Sequence, residues 1–232
     1  MSRPKLLDLF CCAGGAAVGY DRAGFEVVGV DVQPQPRYPF EFIREDAIRV
    51  LDHLVRHWAG KPSAFAFGHE FAAVHASPPC QKFTAYRRRG GGVGDSAPDL
   101  IEPVRELLEQ IGLLPWVMEN VEGSPVRPHV KLCGSSFGLD VQRHRWFETN
   151  VPMMSPPCVH GIWKPRFPHA TNRKNLRKTV EIGVYRIPLA VQREAMGIDW
   201  MTLDELTLAL PPAYTEFIGG QMLGHLEAQS AA

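Results

Sequence analysis

The stretch from Lys5 to Asp31 leaves this chain few folds to choose from. Lys5–Phe10 is a short apolar run with strand character, and Cys11-Cys12-Ala13-Gly14-Gly15 is a small-residue turn. Ala16 to about Ala23 continues as a helix closed by Gly24, and Glu26–Val30 makes a second strand ending at Asp31. This pattern predicts the opening βαβ unit of a nucleotide-binding sheet. Small residues let the backbone approach a ligand, and an acidic residue at a strand tip can take ribose hydroxyls. Glycines after a strand are commonplace, however, and the spacing is not GxGxxG. With 232 residues, 45% hydrophobic and 22% charged, the chain is long enough for one sizeable α/β core and a small appendage.

A second stretch carries the candidate chemistry. Phe71–Ala76 reads as a buried strand, and Ser77-Pro78-Pro79-Cys80-Gln81 follows it as a turn. Two prolines fix φ and remove two backbone donors, so the turn is a stiff presenter of the next side chain, a thiol just beyond a strand's carboxyl end. Cys80 as nucleophile and Cys80 as a buried structural cysteine are both consistent with this turn alone.

The five cysteines, Cys11, Cys12, Cys80, Cys133 and Cys158, are odd in number and include no CxxC, which argues against a disulfide framework and a four-ligand zinc site. Cys158 with His160 offers half a metal site with no evident second half, so no metal is expected. No apolar stretch is long enough to cross a bilayer, and Met1–Lys5 leads straight into a strand-like run; a soluble, cytoplasmic protein is expected. Formal net charge is zero, yet residues 151–190 hold Lys164, Arg166, Arg173, Lys174, Arg177, Lys178 and Arg186 against Glu181 alone, a local excess of six positive charges. Lys82, Arg87, Arg88 and Arg89 form a second basic cluster just after Cys80. One basic run is ordinary solvated surface; two, one beside a candidate nucleophile, point to a polyanion such as nucleic acid.

Between and beyond these features, Phe42–Asp46 reads as a third strand after the proline-rich link 34–39, and Ala47–Trp58 as a helix with Ile48, Leu51, Leu54 and Val55 on one face. Asp46 suits either an adenine amino group or the N-cap of that helix. Glycines 90–92 and 94 mark a loop that can close as a lid. A helix over 99–111, interrupted early by Pro103, precedes a buried strand over 115–121 whose exit carries Glu119 and Asn120. Those two polar groups are either functional or strand-tip surface. Residues 141–147 read as a strand with Arg143 and Arg145 on one face and His144 and Trp146 on the other. Three units are expected: an α/β catalytic and cofactor-binding domain over 1–150, a small irregular basic segment over 151–187, and C-terminal helices over 188–232 that complete the domain.

Taken together, Asp8-Leu9-Phe10 with Gly14, Gly15 and Gly19, then Pro78-Pro79-Cys80-Gln81, Glu119-Asn120-Val121, and Arg143 with Arg145 resemble, in order and spacing, the motifs of the DNA (cytosine-5)-methyltransferases, particularly small phage-borne members. The resemblance covers about residues 5–150 and, more weakly, 193–219. It implies a Rossmann-like S-adenosylmethionine-dependent methyltransferase fold with a mostly parallel sheet, acting in a bacterial cell as a monomer on double-stranded DNA without an obligate protein partner. Cytosine C5 is a poor nucleophile, so the family adds a thiolate to C6 first. The resemblance gives that role to Cys80, assistance at N3 to Glu119, the contact to O2 to Arg145, orientation of the cysteine turn to Arg143, and support of the acid's strand end to Asn120. It places the methyl donor against Phe10, Gly14, Gly15, Asp31, Asp46 and Leu100. DNA would meet Gln81, Lys82 and the two basic clusters, with the cytosine flipped out of the stack.

The chain departs from the pattern at Cys12, where a glycine is usual, at Asp31 for glutamate, at Gln142 directly before Arg143, and at Leu210-Pro211-Pro212-Ala213-Tyr214, which lacks a Gly-Asn pair. The recognition segment is short, which implies a short or degenerate target. Phe83-Thr84 also resembles the tRNA-modifying branch, and a non-catalytic nucleic-acid-binding relative is a third reading.

Overall fold

The computed structural model describes residues 2–61, 71–83, 98–160 and 179–231. Seven strands form one sheet in the order β3-β2-β1-β4-β5-β7-β6. They are β1 Lys5–Leu9, β2 Glu26–Asp31, β3 Glu41–Arg44, β4 Phe71–Ala76, β5 Trp116–Val121, β6 Val130–Leu132 and β7 Arg145–Thr149. The first five in chain order are mutually parallel, and β7 pairs antiparallel with both β5 and β6. The expected α/β class with a mostly parallel sheet is therefore the observed one. The order reverses direction between β1 and β4, and at such a switch point the carboxyl ends of neighbouring strands splay open into a crevice.

Among the described residues six helices accompany the sheet: α1 Gly15–Ala23, α2 Ala47–Trp58, α3 Ile101–Gln110, α4 Leu189–Met196, α5 Leu203–Leu208 and α6 Pro212–Ser230. Alternate strand residues feed two cores. Leu7, Leu9, Val28, Val30 and Met118 pack under α2 and α3, while Leu6, Val27, Ala73 and Val117 pack under α1 and α6. Gly19 allows that second layer. A Cβ there would run into Thr215 Oγ1 and the backbone of Pro212, so only glycine lets α1 and α6 approach this closely. No helix among the described residues is long and apolar enough to cross a membrane.

Four points of the sequence reading need correction. The strand read over 141–147 starts only at Arg145, because Arg143 takes φ +38° and breaks the alternation. The two arginines are thus not neighbours on one strand face. The third strand ends at Arg44, and Asp46 lies outside it as the N-cap of α2. The three-residue edge strand β6 was not anticipated. Pro103 does not interrupt α3 but sits in its first turn, where a missing N–H has no intrahelical partner to lose. Buried between α3 and β7, Arg105 donates from Nε and Nη2 to both oxygens of Glu148 at 2.7 and 2.8 Å and also bonds Pro125 O.

Candidate active site

The site assembles at the carboxyl edge of β1, β4 and β5. Ser77 N donates to Leu9 O (3.1 Å), carrying the β1–β4 ladder one residue further, and the Pro78-Pro79 turn then brings Cys80 up. Asn120, fully buried at the end of β5, pins this turn: its Nδ2 donates to Pro78 O at 2.9 Å while its Oδ1 accepts from Val121 N at 2.9 Å. One amide therefore fixes both the acid's strand end and the cysteine turn. Arg143, expected to orient that turn, makes its side-chain hydrogen bonds to the C-terminal segment. It donates from Nε to Ala209 O (2.9 Å) and from Nη2 to Thr207 O (2.7 Å), fastening the end of α5.

Beside Cys80, Glu119 is 6% exposed and forms an ion pair with Arg145, Nε to Oε1 2.9 Å. Burial raises the Glu119 carboxyl above its ordinary range, and Arg145, the Ser77 hydroxyl and Arg143 offset part of that rise. Burial also raises the Cys80 thiol, and the Glu119 charge adds to it, while Arg145 and Arg143 oppose. Neighbouring Cys12 is pushed up to about 12 by burial with only negative neighbours adding to the rise, and Cys11 is raised further still by burial, Asp8 and Asp31. Of these three thiols, only Cys80 is drawn toward the thiolate by cations.

A buried polar chain that sequence reading missed runs behind Glu119. The Tyr20 hydroxyl of α1 lies 2.9 Å from His75 Nδ1, and His75 Nε2 lies 2.8 Å from Ser77 Oγ. His75 is wholly buried, which drives it down to about 3, so the ring is neutral, with one nitrogen donating and the other accepting. The signal was a single polar residue inside the apolar run Phe71–Ala76. On the same side of the sheet Asp8 is buried beside Tyr38; burial, then Asp31, holds it well above the usual carboxylate range, and the Tyr38 hydroxyl offsets part of that rise.

The expected donor-side residues gather in part. Phe10 (φ +60°) and Leu100 pack against the same apolar core. Asp31 stands at the tip of β2, accepting from Cys12 N (3.1 Å) and Gln33 N (2.9 Å). Asp46 Oδ1 accepts from Ile48 N (2.7 Å) and Arg49 N (3.2 Å), which is the capping role. A Cβ at Gly14 would meet Pro39 and Tyr38, and one at Gly15 would meet Leu210 and Ala209, so protein fills the side-chain direction of both glycines.

The C-terminal segment closes over this turn. Trp200 Nε1 donates to Ala13 O (2.8 Å), Thr215 Oγ1 to Ala16 O (2.8 Å), and the buried Tyr214 hydroxyl shares its proton between Arg143 O (2.9 Å) and Gln142 O (3.1 Å). None of these partners was legible in sequence. Of the residues expected at nucleic acid, Gln81 and Lys82 open a short 3-10 turn, and Lys82 Nζ lies 3.3 Å from Asp99. Arg87, Arg88, Arg89, Lys164, Arg166, Arg173, Lys174, Arg177 and Lys178 lie outside the described residues. Cys158 and His160 do have a second half: Cys133 and His144 come together with them.

No protein-family model matches the chain. It is 28% identical over 137 residues to the Type II methyltransferase M.XorII of Xanthomonas oryzae pv. oryzae, over 56% of this chain and 31% of the relative. Type II methyltransferase M.AgeI of Thalassovita gelatinovora is 28% identical over 127 residues, 51% of this chain and 28% of that protein. Among solved structures, a mutant DNMT2 of Spodoptera frugiperda is 21% identical with a TM-score of 0.45, covering 66% of this chain and 53% of that one. The chain thus spans less than a third of the length of the curated relatives it matches.

Proposed function

We propose that the protein is an S-adenosylmethionine-dependent methyltransferase acting on C5 of cytosine in double-stranded DNA. The observation that carries this reading is the Glu119–Arg145 pair at 2.9 Å, set beside the cysteine turn that Asn120 pins. The similarity to two Type II methyltransferases supports it.

In this reading the Cys80 thiolate adds to C6, forming a C–S bond and sending electron density toward N3 and O2. Glu119 delivers a proton at N3, and Arg145 faces the charge at O2. Burial keeps Glu119 disposed to hold that proton. A neutral Glu119 no longer repels negative charge on Cys80, so protonating the acid and ionising the thiol reinforce each other. C5, now enamine-like, takes the methyl group; loss of its proton and expulsion of the thiolate restore the ring. S-adenosylmethionine, when bound, supplies an electrophilic methyl group. The residues present fit it: Phe10 and Leu100 offer an apolar face, and Asp31 and Asp46 offer acceptors for ribose hydroxyls and an adenine amino group. Gly14 and Gly15 shape this side by packing.

Mass spectrometry of nucleosides from duplex DNA and tRNA incubated with the protein and S-adenosylmethionine tests the reading. A methyl group gained on deoxycytidine, lost in Cys80→Ala, is the expected result. Methylation of tRNA alone moves the substrate to RNA, and full turnover by Cys80→Ala overturns the mechanism.

A further inference from the structure

Away from the catalytic edge, four side chains with metal-binding chemistry converge. Cys133 follows β6 and is buried, His144 immediately precedes β7, and Cys158 and His160 lie on the strap that leaves β7. Their ligand atoms all lie within 4.8 Å of one another. His144 Nε2 is 3.4 Å from Cys158 Sγ and 3.1 Å from His160 Nε2. A tetrahedral zinc ion, with Zn–S about 2.3 Å and Zn–N about 2.0–2.1 Å, sets its ligand atoms about 3.3–3.8 Å apart. The two measured separations fall near that range.

We infer that Cys133, His144, Cys158 and His160 form a structural zinc site that anchors the 151–160 strap to the catalytic sheet. Two thiolates and two imidazoles are the soft, tetrahedral donor set that selects zinc, and four protein ligands leave no open position for chemistry. As a purely hydrogen-bonded cluster the same groups contribute little, because thiols are weak donors and acceptors.

The far end of the strap needs such an anchor. Val151 is buried and Met153 packs against the core, but beyond them the strap contains no helix or strand, and Met154 and Val159 are 76% and 72% exposed. From Met154 onward, besides the four ligands, it is held by polar contacts such as Ser155 Oγ to Lys131 O (2.7 Å), Ser136 Oγ to Pro157 O (2.8 Å) and Met154 N to Gln221 Oε1 (2.8 Å). Such exposed bonds contribute about 1 kcal/mol each or less, whereas metal coordination couples directly to folding. His160 stands shortly before Lys164 in sequence, and His144 lies between Arg143 and Arg145. A metal here ties the end of the strap to the segment that carries those two arginines. The inference does not depend on the catalytic reading.

The test is the metal content of the full chain, expressed with zinc in the medium and purified without chelator, followed by cobalt exchange. Equimolar zinc and a thiolate-to-cobalt charge-transfer band are expected. Both should vanish in Cys158→Ser/His160→Ala, whose positions are near the surface so that the fold survives by circular dichroism, and persist in Cys11→Ser. A native protein that takes up neither metal on titration overturns the inference. So does zinc retained by the double variant, or a Cys133–Cys158 disulfide found in the native protein.

Discussion

Replacing Ser77 by alanine isolates the buried chain behind the candidate acid. The Ser77 hydroxyl lies 2.8 Å from His75 Nε2 and also lowers Glu119. His75 is fully buried, and an unpaired buried ring nitrogen costs about 1–3 kcal/mol. A second effect adds to it and depends on pH. The folded-state pKa of Glu119 already lies above the unfolded value, so stability falls as pH rises from the unfolded pKa to the folded one. Without Ser77 the folded pKa rises again, and the upper edge of that window moves up. The destabilisation should therefore be smaller at about pH 5 and larger at about pH 8, by about 1.4 kcal/mol for every tenfold gain in the proton affinity of Glu119. Urea unfolding at the two pH values measures both effects. A loss below about 0.5 kcal/mol, the scatter of ordinary surface changes, would refute the pairing. A loss that does not grow with pH would refute the coupling to Glu119.

Arg105→Met should destabilise the fold by about 3–5 kcal/mol in urea, because it strands the buried Glu148 carboxylate without its bidentate partner. Arg105 and the Arg127 backbone N–H hold Glu148 below its ordinary range, so the stability it contributes is present above the unfolded pKa and lost as pH falls through the folded one. Glu148→Gln should flatten the acid limb of a stability-against-pH curve. Asn120→Ala frees the cysteine turn and leaves Pro78 O without its donor; slower turnover together with faster alkylation of Cys80 is expected. Gly19→Ala forces α1 and α6 apart and should lower stability by about 3 kcal/mol, the upper end of overpacking penalties, as measured by thermal unfolding.

What the sequence disclosed depended on the range of the interaction. The βαβ unit over Lys5–Asp31 and helices α2 and α4 were legible because apolar spacing and local stop signals define them. β6 was not, since three residues carry no periodicity and the strand exists only through pairing with β7. Cys80, Glu119 and Arg145 were found because each lies in a motif that carries the family resemblance; the structure sets Cys80 past β4, Glu119 near the end of β5 and Arg145 at the start of β7. The contacts of Trp200 with Ala13 and of Tyr214 with Arg143 join positions far apart in sequence, and no local pattern reports such a meeting. Cys133 and His144 were missed for the same reason: the sequence displays only the close pair Cys158 and His160. The close packing of Tyr38 and Leu210 on the glycine turn was not legible either, because a missing side chain signals close approach without saying what approaches.

That the closing segment from Trp200 to Thr215 caps a turn made at the very start of the chain has a consequence for synthesis. A ribosome that has delivered residues 1–187 has already released Phe10, Cys80, Glu119 and Arg145. It has not yet supplied the indole over Ala13, the tyrosine beneath Arg143 or the carbonyls of Thr207 and Ala209 that receive Arg143. The site is therefore complete only after residues 200–215 have emerged, and a chain cut before them should lack these contacts. The same dependence makes the linker before α4 a natural place to divide the protein: two separately expressed pieces should regain function only on meeting.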